Sequence, residues 1–501
     1  MSFQLGYPRA HSIALLAFVS LMVPLGACGD ATSGTGANAG GAPAGAGGGG
    51  GEGGAGGQGG SGGSHAVGHI WSLGFGSAEG DFPTSIAVDG DDNVLFGGHS
   101  IGAVDFGDGP LAPAGGSDGI VAKWSPEGKF LWASRFGDAA GQQVFGVAAD
   151  SAGNVVVAGS FSGSIDLGGG PLTSAGGLDI YVAKLDPSGK HLWSKSFNGA
   201  GDETAYRLAV SADDHIYLGG QFEGTITFGG GSLTSAGGSD IYVVKLDATG
   251  KYVWNKGYGA ASGSHSIEAL AAAPNGDVVI SGVFSEAIDF GGGALMSAGG
   301  DDVFVARVDS FGDPVWSKRF GGEGNQSGRG AHVDDGGNVL LTGQFVGSFD
   351  FGGDLLVAEE GDPPRTDIFV AKLDAGGSHL WSKRFGDAEA QVGAGIRADS
   401  AGNVVLVGSL QGSVDFGGEA LTAAVDLGVP DVFVAKFDPA GAHLWSRRYG
   451  DKAGQNAAAV AIDSGQNILL TGNNAGTFDF GGDPLNATTS DDSVFVAKLK
   501  P

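Results

Sequence analysis

Cysteine is almost absent from this 501-residue chain, which carries Cys28 and no other. No disulfide can close within it, and no multi-cysteine metal site can form. Basic residues are scarce as well: 26 Lys and Arg stand against 55 Asp and Glu, a net charge of −29. That field repels nucleic-acid phosphates and anionic membrane faces, so no nucleic-acid partner is expected. The acid is spread through turns rather than gathered in a tail, as on a solvated surface. No sustained helical period occurs after Cys28. The apolar run Ile13–Val23 is too short to span a bilayer permanently.

Glycine is abundant, at 100 residues, and falls into two populations. Residues 29–67 are almost all Gly, Ala and Ser without apolar periodicity, the composition of a flexible linker. The later glycines sit at fixed offsets between Val, Ile, Leu and Phe runs, where they mark turns.

Those offsets belong to a repeat. Tryptophan recurs at Trp71, Trp132, Trp193, Trp254, Trp316, Trp381 and Trp445, at spacings of 61, 61, 61, 62, 65 and 64. A period of that size means stacked supersecondary units. Each unit holds four short β-branched or aromatic runs bounded by Gly, Asp, Asn and Pro, for example Val155–Phe161 and Asp179–Leu185, the pattern of hairpins. The expected fold is all-β: a seven-bladed β-propeller with four antiparallel strands per blade. The repeat region begins with a lone Trp strand, residues 69–75, and ends with a lone third strand, 494–499. If these pair, the N-terminal strand completes the last blade and closes the ring.

Arg9 and His11 precede the apolar run, and Leu25-Gly26-Ala27-Cys28 follows it. This resembles a bacterial lipobox. The resemblance implies a signal peptide at 1–27, lipidation of Cys28, and a lipid-anchored protein exported through the inner membrane. Gly29 rather than Asp follows the cysteine, which by the same resemblance favours the outer membrane or cell surface. Residues 28–67 then form a tether with a root-mean-square reach of roughly 35 Å, leaving 68–501 for the propeller, expected to be monomeric.

The segments Val88 to Val94, Asp150 to Val155 and Asp367 to Asp374 resemble the bacterial seven-bladed beta-propeller (SBBP) repeat of secreted and surface proteins. The resemblance covers 69–499. It implies the fold and says little of activity, because propellers host unrelated functions.

Asp-Phe-Gly recurs at Asp105, Asp289, Asp350, Asp415 and Asp479, where the carboxylate can cap its own turn. A second aspartate opens every third strand: Asp118, Asp179, Asp240, Asp302, Asp367, Asp431 and Asp492. Carboxylates beside glycine carbonyls could ligate Ca²⁺, yet no loop has the alternating spacing of a calcium loop. No cofactor and no metal are expected. His69, His191, His379 and His443 share one repeat position in four separate outer strands and cannot converge on a metal.

Departures from the repeat nominate a site. Twelve residues after each Trp-strand aromatic come Ala87, Ala148, Ala209, Leu270, His332, Arg397 and Ala461. Two positions earlier, Arg207 and Glu268 interrupt Ser85, Gly146, Gly330, Gly395 and Ala459. Six residues after the aromatic stand Asp81, Gln142, Glu203, Ser264, Gln326, Gln391 and Gln455, a near-ring of hydrogen-bonding groups expected to face a channel mouth and suited to carbohydrate hydroxyls. The spacing between the two repeated aspartates is 13 residues in most blades, but 17 in blade 5 and 16 in blade 6, with insertions within 359–366 and 425–430. Blades 5 and 6 therefore depart both near the axis and on the rim, and both departures are expected on one side, because binding residues gather on loops of a rigid scaffold. Neutral drift, with Arg207 and Glu268 as an ion pair, explains the same residues without a ligand.

The reading is an envelope-anchored binding or scaffold module for polysaccharide or protein partners. A hydrolase or lyase acting on extracellular polysaccharide would need two catalytic groups within mutual reach at non-repeating positions. Glu268, His332 and Arg397 are the gathered candidates, with no nucleophile elbow or phosphate loop beside them, so no catalytic residue is assigned. A purely structural envelope protein is the third class.

Overall fold

The computed structural model describes residues 68–501 other than 78, 360, 362–364, 426–427 and 488–492. The expectations for 1–27, Cys28 and the stretch to 67, like that for Asp492, lie outside the described residues.

Residues 68–501 form seven four-stranded antiparallel sheets arranged as a propeller. In blade 2, Gln142–Ala149 is innermost, followed outward by Val155–Phe161, Asp179–Leu185 and His191–Phe197. The innermost strands touch around the ring, the seventh, Gln455–Ile462, meeting the first, Asp81–Val88. His69–Phe75 pairs antiparallel with Ser493–Leu499, so strands from the two ends of the propeller complete the last blade. Asn473 Nδ2 of blade 7 donates to Asp81 O of blade 1 at 2.8 Å, joining the last blade to the first. The four-strand count omits one feature: in each blade the connection from second to third strand folds into a small hairpin, such as Ser164–Asp166 with Pro171–Thr173. It holds the repeated aspartate turn, where Asp166 Oδ1 accepts from the N–H groups of Gly168 and Gly170 at 2.8 and 3.1 Å.

Third strands are buried along their whole length, as in Asp179–Leu185, because both sheet faces are covered by neighbouring blades. They therefore read as continuous apolar runs instead of alternating. Seven hydrophobic clusters result, and each draws on two adjacent blades: Leu95, Val121, Val157 and Tyr181, for instance, join blades 1 and 2. A blade has no core of its own. Closing the ring adds a seventh interface, with each fully buried Val or Leu contributing about 1.5–3 kcal/mol.

The perimeter repeats one clasp. Trp132 Nε1 donates to Pro187 O of the next blade at 3.0 Å, and Trp71, Trp254, Trp316 and Trp381 do the same at 3.0–3.1 Å. Gly189 lies on the Trp132 ring with φ at 85°, and a Cβ there would meet the indole at 2.8 Å. Both the backbone angle and the close approach demand glycine. The outer-strand histidines are fixed locally, each ring Nε2 lying 3.0–3.1 Å from a serine three residues on.

Deeper in, Lys184 Nζ meets Asp150 at 2.9 Å and donates to Ala248 O of the next blade at 2.8 Å. The same buried pair recurs as Lys123–Asp89, Lys372–Asp334, Lys436–Asp399 and Lys498–Asp463. Blade 3 has Ser211 in place of the aspartate; its Lys245 lies 5.1 Å from the Tyr217 ring centroid and donates to Ser310 O at 3.2 Å. Blade 4 has Ala273 there, moves the carboxylate four residues on to Asp277, and reaches it with Arg307 Nε at 2.8 Å.

Candidate functional site

Each innermost strand bulges after its third residue, leaving Thr84, Phe145, Tyr206, Glu268, Arg329, Ala394 and Ala458 outside the register. A bulge turns the strand and re-aims the side chain. Phe145 and Tyr206 of adjacent blades meet edge to face at 5.5 Å, and His99 stacks on Phe82 at 4.9 Å. Burial pushes the His99 imidazole down to about 4.

The bulge corrects the alignment of blade 4. Its entry loop, residues 259–264, is one longer than its counterparts, so His265 and not Ser264 opens the strand. Ala271, not Leu270, is level with His332, and Glu268 occupies the bulge rather than the level of Arg207. The two still meet: Arg207 Nη2 lies 3.3 Å from Glu268 Oε2, and Arg207 Nε donates to Glu268 O. Ser266 Oγ donates to the other carboxylate oxygen at 2.8 Å. Arg329, which the sequence reading missed because none of the positions it compared falls on the bulge, feels both charges of this pair.

The near-ring is placed differently from the expectation. Asp81, Gln142, Glu203, Gln326, Gln391 and Gln455 are at most 2% exposed, inside the blades rather than around an open mouth. Their polar atoms tie the entry loop to the second-to-third-strand connection. Gln142 Oε1 accepts from Asp138 N at 3.0 Å, and its Nε2 donates to Asp138 Oδ1 and Ser162 O at 2.7 and 2.9 Å. Gln391 and Gln455 repeat this with Asp387 and Asp451, Gln326 accepts from Gly322 N, and Asp81 accepts from Ser77 N. Glu203 differs. Gly199 N donates to it at 3.0 Å, and burial, then the Asp179 carboxyl beside it, raise its pKa to about 7.

His332 and Arg397 lie on the innermost strands of blades 5 and 6, each next to last in its strand. Burial, then the Arg397 cation, push His332 down to about 3. The longer rim segments lie at the other end of those strands. There Glu359 N donates to Asp367 Oδ2 at 2.8 Å and Ala424 N to Asp431 Oδ2 at 2.7 Å. The two asymmetries of blades 5 and 6 therefore do not share a side.

Four of the repeated third-strand aspartates pair with arginine: Asp118 with Arg135 at 3.1 Å, Asp302 with Arg319 at 2.7 Å, and Asp367 and Asp431 with Arg384 and Arg448 at 2.5 Å. Among the described residues no three His, Cys, Asp or Glu side chains gather as a metal site.

No family model matches the chain. It is 28% identical over 435 residues to an uncharacterised WD repeat-containing protein of Acanthamoeba polyphaga mimivirus, covering 70% of this chain and 31% of that one. The chain thus spans about a third of that relative's length. Similar solved structures include Sqt1 from Chaetomium thermophilum, with a TM-score of 0.43 and 13% identity over 87% of this chain and 100% of that one. A catalytically inactive virginiamycin B lyase from Staphylococcus aureus gives a TM-score of 0.37 at 9% identity, over 85% and 99% of the two chains.

Proposed function

We propose that this protein is a lipid-anchored envelope module that binds a protein partner through the propeller. The observation that carries this reading is a closed ring of repeated blades in which the connections from second to third strand are lengthened in blades 5 and 6 alone, on the face formed by the entry loops and small hairpins. A rigid scaffold with one altered sector is how loop-borne recognition is built. The likeness to a WD repeat-containing protein supports a protein partner over a polysaccharide. Lipidation at Cys28 rests on the lipobox resemblance and gives the module its place at the outer membrane or cell surface.

The test is crosslinking of the full chain in its native envelope, beside a variant whose 359–366 and 425–430 segments are cut to the length found in other blades. Loss of one defined crosslinked protein in the trimmed variant is the expected result. Identical crosslinks from both, or binding to a glycan array in their stead, would overturn the protein-docking reading. Cys28→Ser is expected to abolish fatty-acid labelling, and labelling that persists would remove the anchor from the proposal.

A further inference from the structure

We propose that the axial lumen holds an oxyanion site in which Arg397 is the anchor and His332 a second donor. At this level of the ring the residues from the seven innermost strands are Ala87, Ala148, Ala209, Ala271, His332, Arg397 and Ala461. Ala87, Ala209, Ala271 and Ala461 pack into the clusters between blades, whereas His332 and Arg397, both only partly buried, add nitrogen donors to two adjacent innermost strands.

Arg397 is a cation without a counter-charge. Its Nη1 donates to Ile396 O at 2.8 Å, and among the described residues no carboxylate pairs with it. The nearest acidic residues in sequence are engaged: Asp399 holds Lys436 at 2.9 Å, and Asp334, beyond His332, holds Lys372 at 3.0 Å. Six arginines have acids: Arg135–Asp118, Arg207–Glu268, Arg307–Asp277, Arg319–Asp302, Arg384–Asp367 and Arg448–Asp431. Guanidinium stays protonated in proteins, so the charge persists even where burial opposes it. A cation on a low-dielectric wall without a partner is costly, and an anion in the lumen offsets that cost.

The geometry selects the class. Guanidinium presents its N–H groups as a planar fork matched to two oxygens of one carboxylate, sulfate or phosphate group. His332, neutral across the ordinary pH range, adds one N–H without adding charge. The shared chemistry is an oxyanionic group, carried either by a free inorganic ion or by an acidic sugar. This site lies at the opposite end of the innermost strands from the lengthened loops, so it stands whether or not those loops dock a protein.

The experiment is calorimetric titration of the full chain in detergent with sodium sulfate, sodium phosphate and glucuronic acid, against sodium chloride at equal ionic strength. Saturable binding of one oxyanion per chain is expected, weakened at least tenfold in Arg397→Gln and less in His332→Ala. Arg397→Lys keeps the charge and loses the fork, and is expected to fall between wild type and Arg397→Gln. Binding of sulfate or phosphate alone identifies a free-ion site, and a preference for glucuronic acid identifies a sugar carboxylate. A second measurement needs no variant: saturating ligand should protect Arg397 of the wild-type chain from phenylglyoxal, read by peptide mass spectrometry. No saturable heat with any of the three, equal binding by Arg397→Gln, or unprotected Arg397 would each overturn the proposal.

Discussion

Within the blades, blade 4 exchanges the buried Asp–Lys pair for Ala273, Asp277 and Arg307, and blade 3 exchanges it for Ser211 with Lys245 beside Tyr217. At the axis, blades 5 and 6 place His332 and Arg397 level with five alanines. The changes within the blades come as matched sets. Moving the carboxylate four residues is met by a longer cation that reaches it, and losing it is met by an aromatic face. Arg207 and Glu268 are matched in the same way, each neutralising the other. The axial pair is unmatched: it adds a charge and removes none. Duplicated repeats drifting under selection for folding should keep compensated changes, because an unpaired cation held partly out of water costs free energy. A change retained without compensation therefore points to something outside the fold.

The comparison breaks most visibly if the perimeter is opened. Deleting residues 69–75 leaves Ser493–Leu499 with one partner strand and uncovers an interface cluster containing Trp71 and Phe75. The melting midpoint is expected to fall by more than ~10 °C, with a broader calorimetric transition. An unchanged transition would mean that closure contributes nothing.

A smaller effect separates matched from unmatched change. Asp150→Ala strands the Lys184 ammonium and should cost about 3 kcal/mol in denaturant unfolding, whereas Ser211→Asp restores the repeat beside Lys245 and should gain about 1 kcal/mol. If Ser211→Asp destabilises, blade 3 is not compensated in the way described.

The smallest effect lies between the two regions, at Glu203. Its carboxyl is held near 7 by burial and by Asp179, far above its ordinary value. The folded state binds this proton more tightly than the unfolded chain, so the stabilisation is complete below about 4.5 and is lost as pH rises through about 7. Glu203→Gln, the residue found there in blades 2, 5, 6 and 7, should flatten this loss and be more stable than wild type at pH 8 by about 1–2 kcal/mol. Parallel stability–pH curves for the two proteins would dismiss the buried acid pair.

The fold was legible because its signals repeat: the tryptophan spacing, the turn aspartates and the two lone terminal strands leave one way to pair. The lumen was less legible. A strand's period of two says which residues share a face, but a bulge breaks that count, so Arg329 went unseen and Glu268 was set at the wrong level. One additional residue in the entry loop of blade 4 shifted Ser264 and Leu270 into places that belong to His265 and Ala271. The glutamines looked like a polar mouth because sequence does not show that the entry loop folds over them.

The seam has a mechanical consequence. Lys500 N donates to Gly68 O at 2.8 Å, so the polypeptide enters and leaves the ring at neighbouring points on its outermost edge. Any pull transmitted through the residues ahead of Gly68 arrives first at His69–Phe75, the outermost strand of its sheet, joined by pairing to Ser493–Leu499 alone. Load would peel that strand before it reached any other, and its release unfastens the whole circle. The segment that shuts the ring is also its tear line.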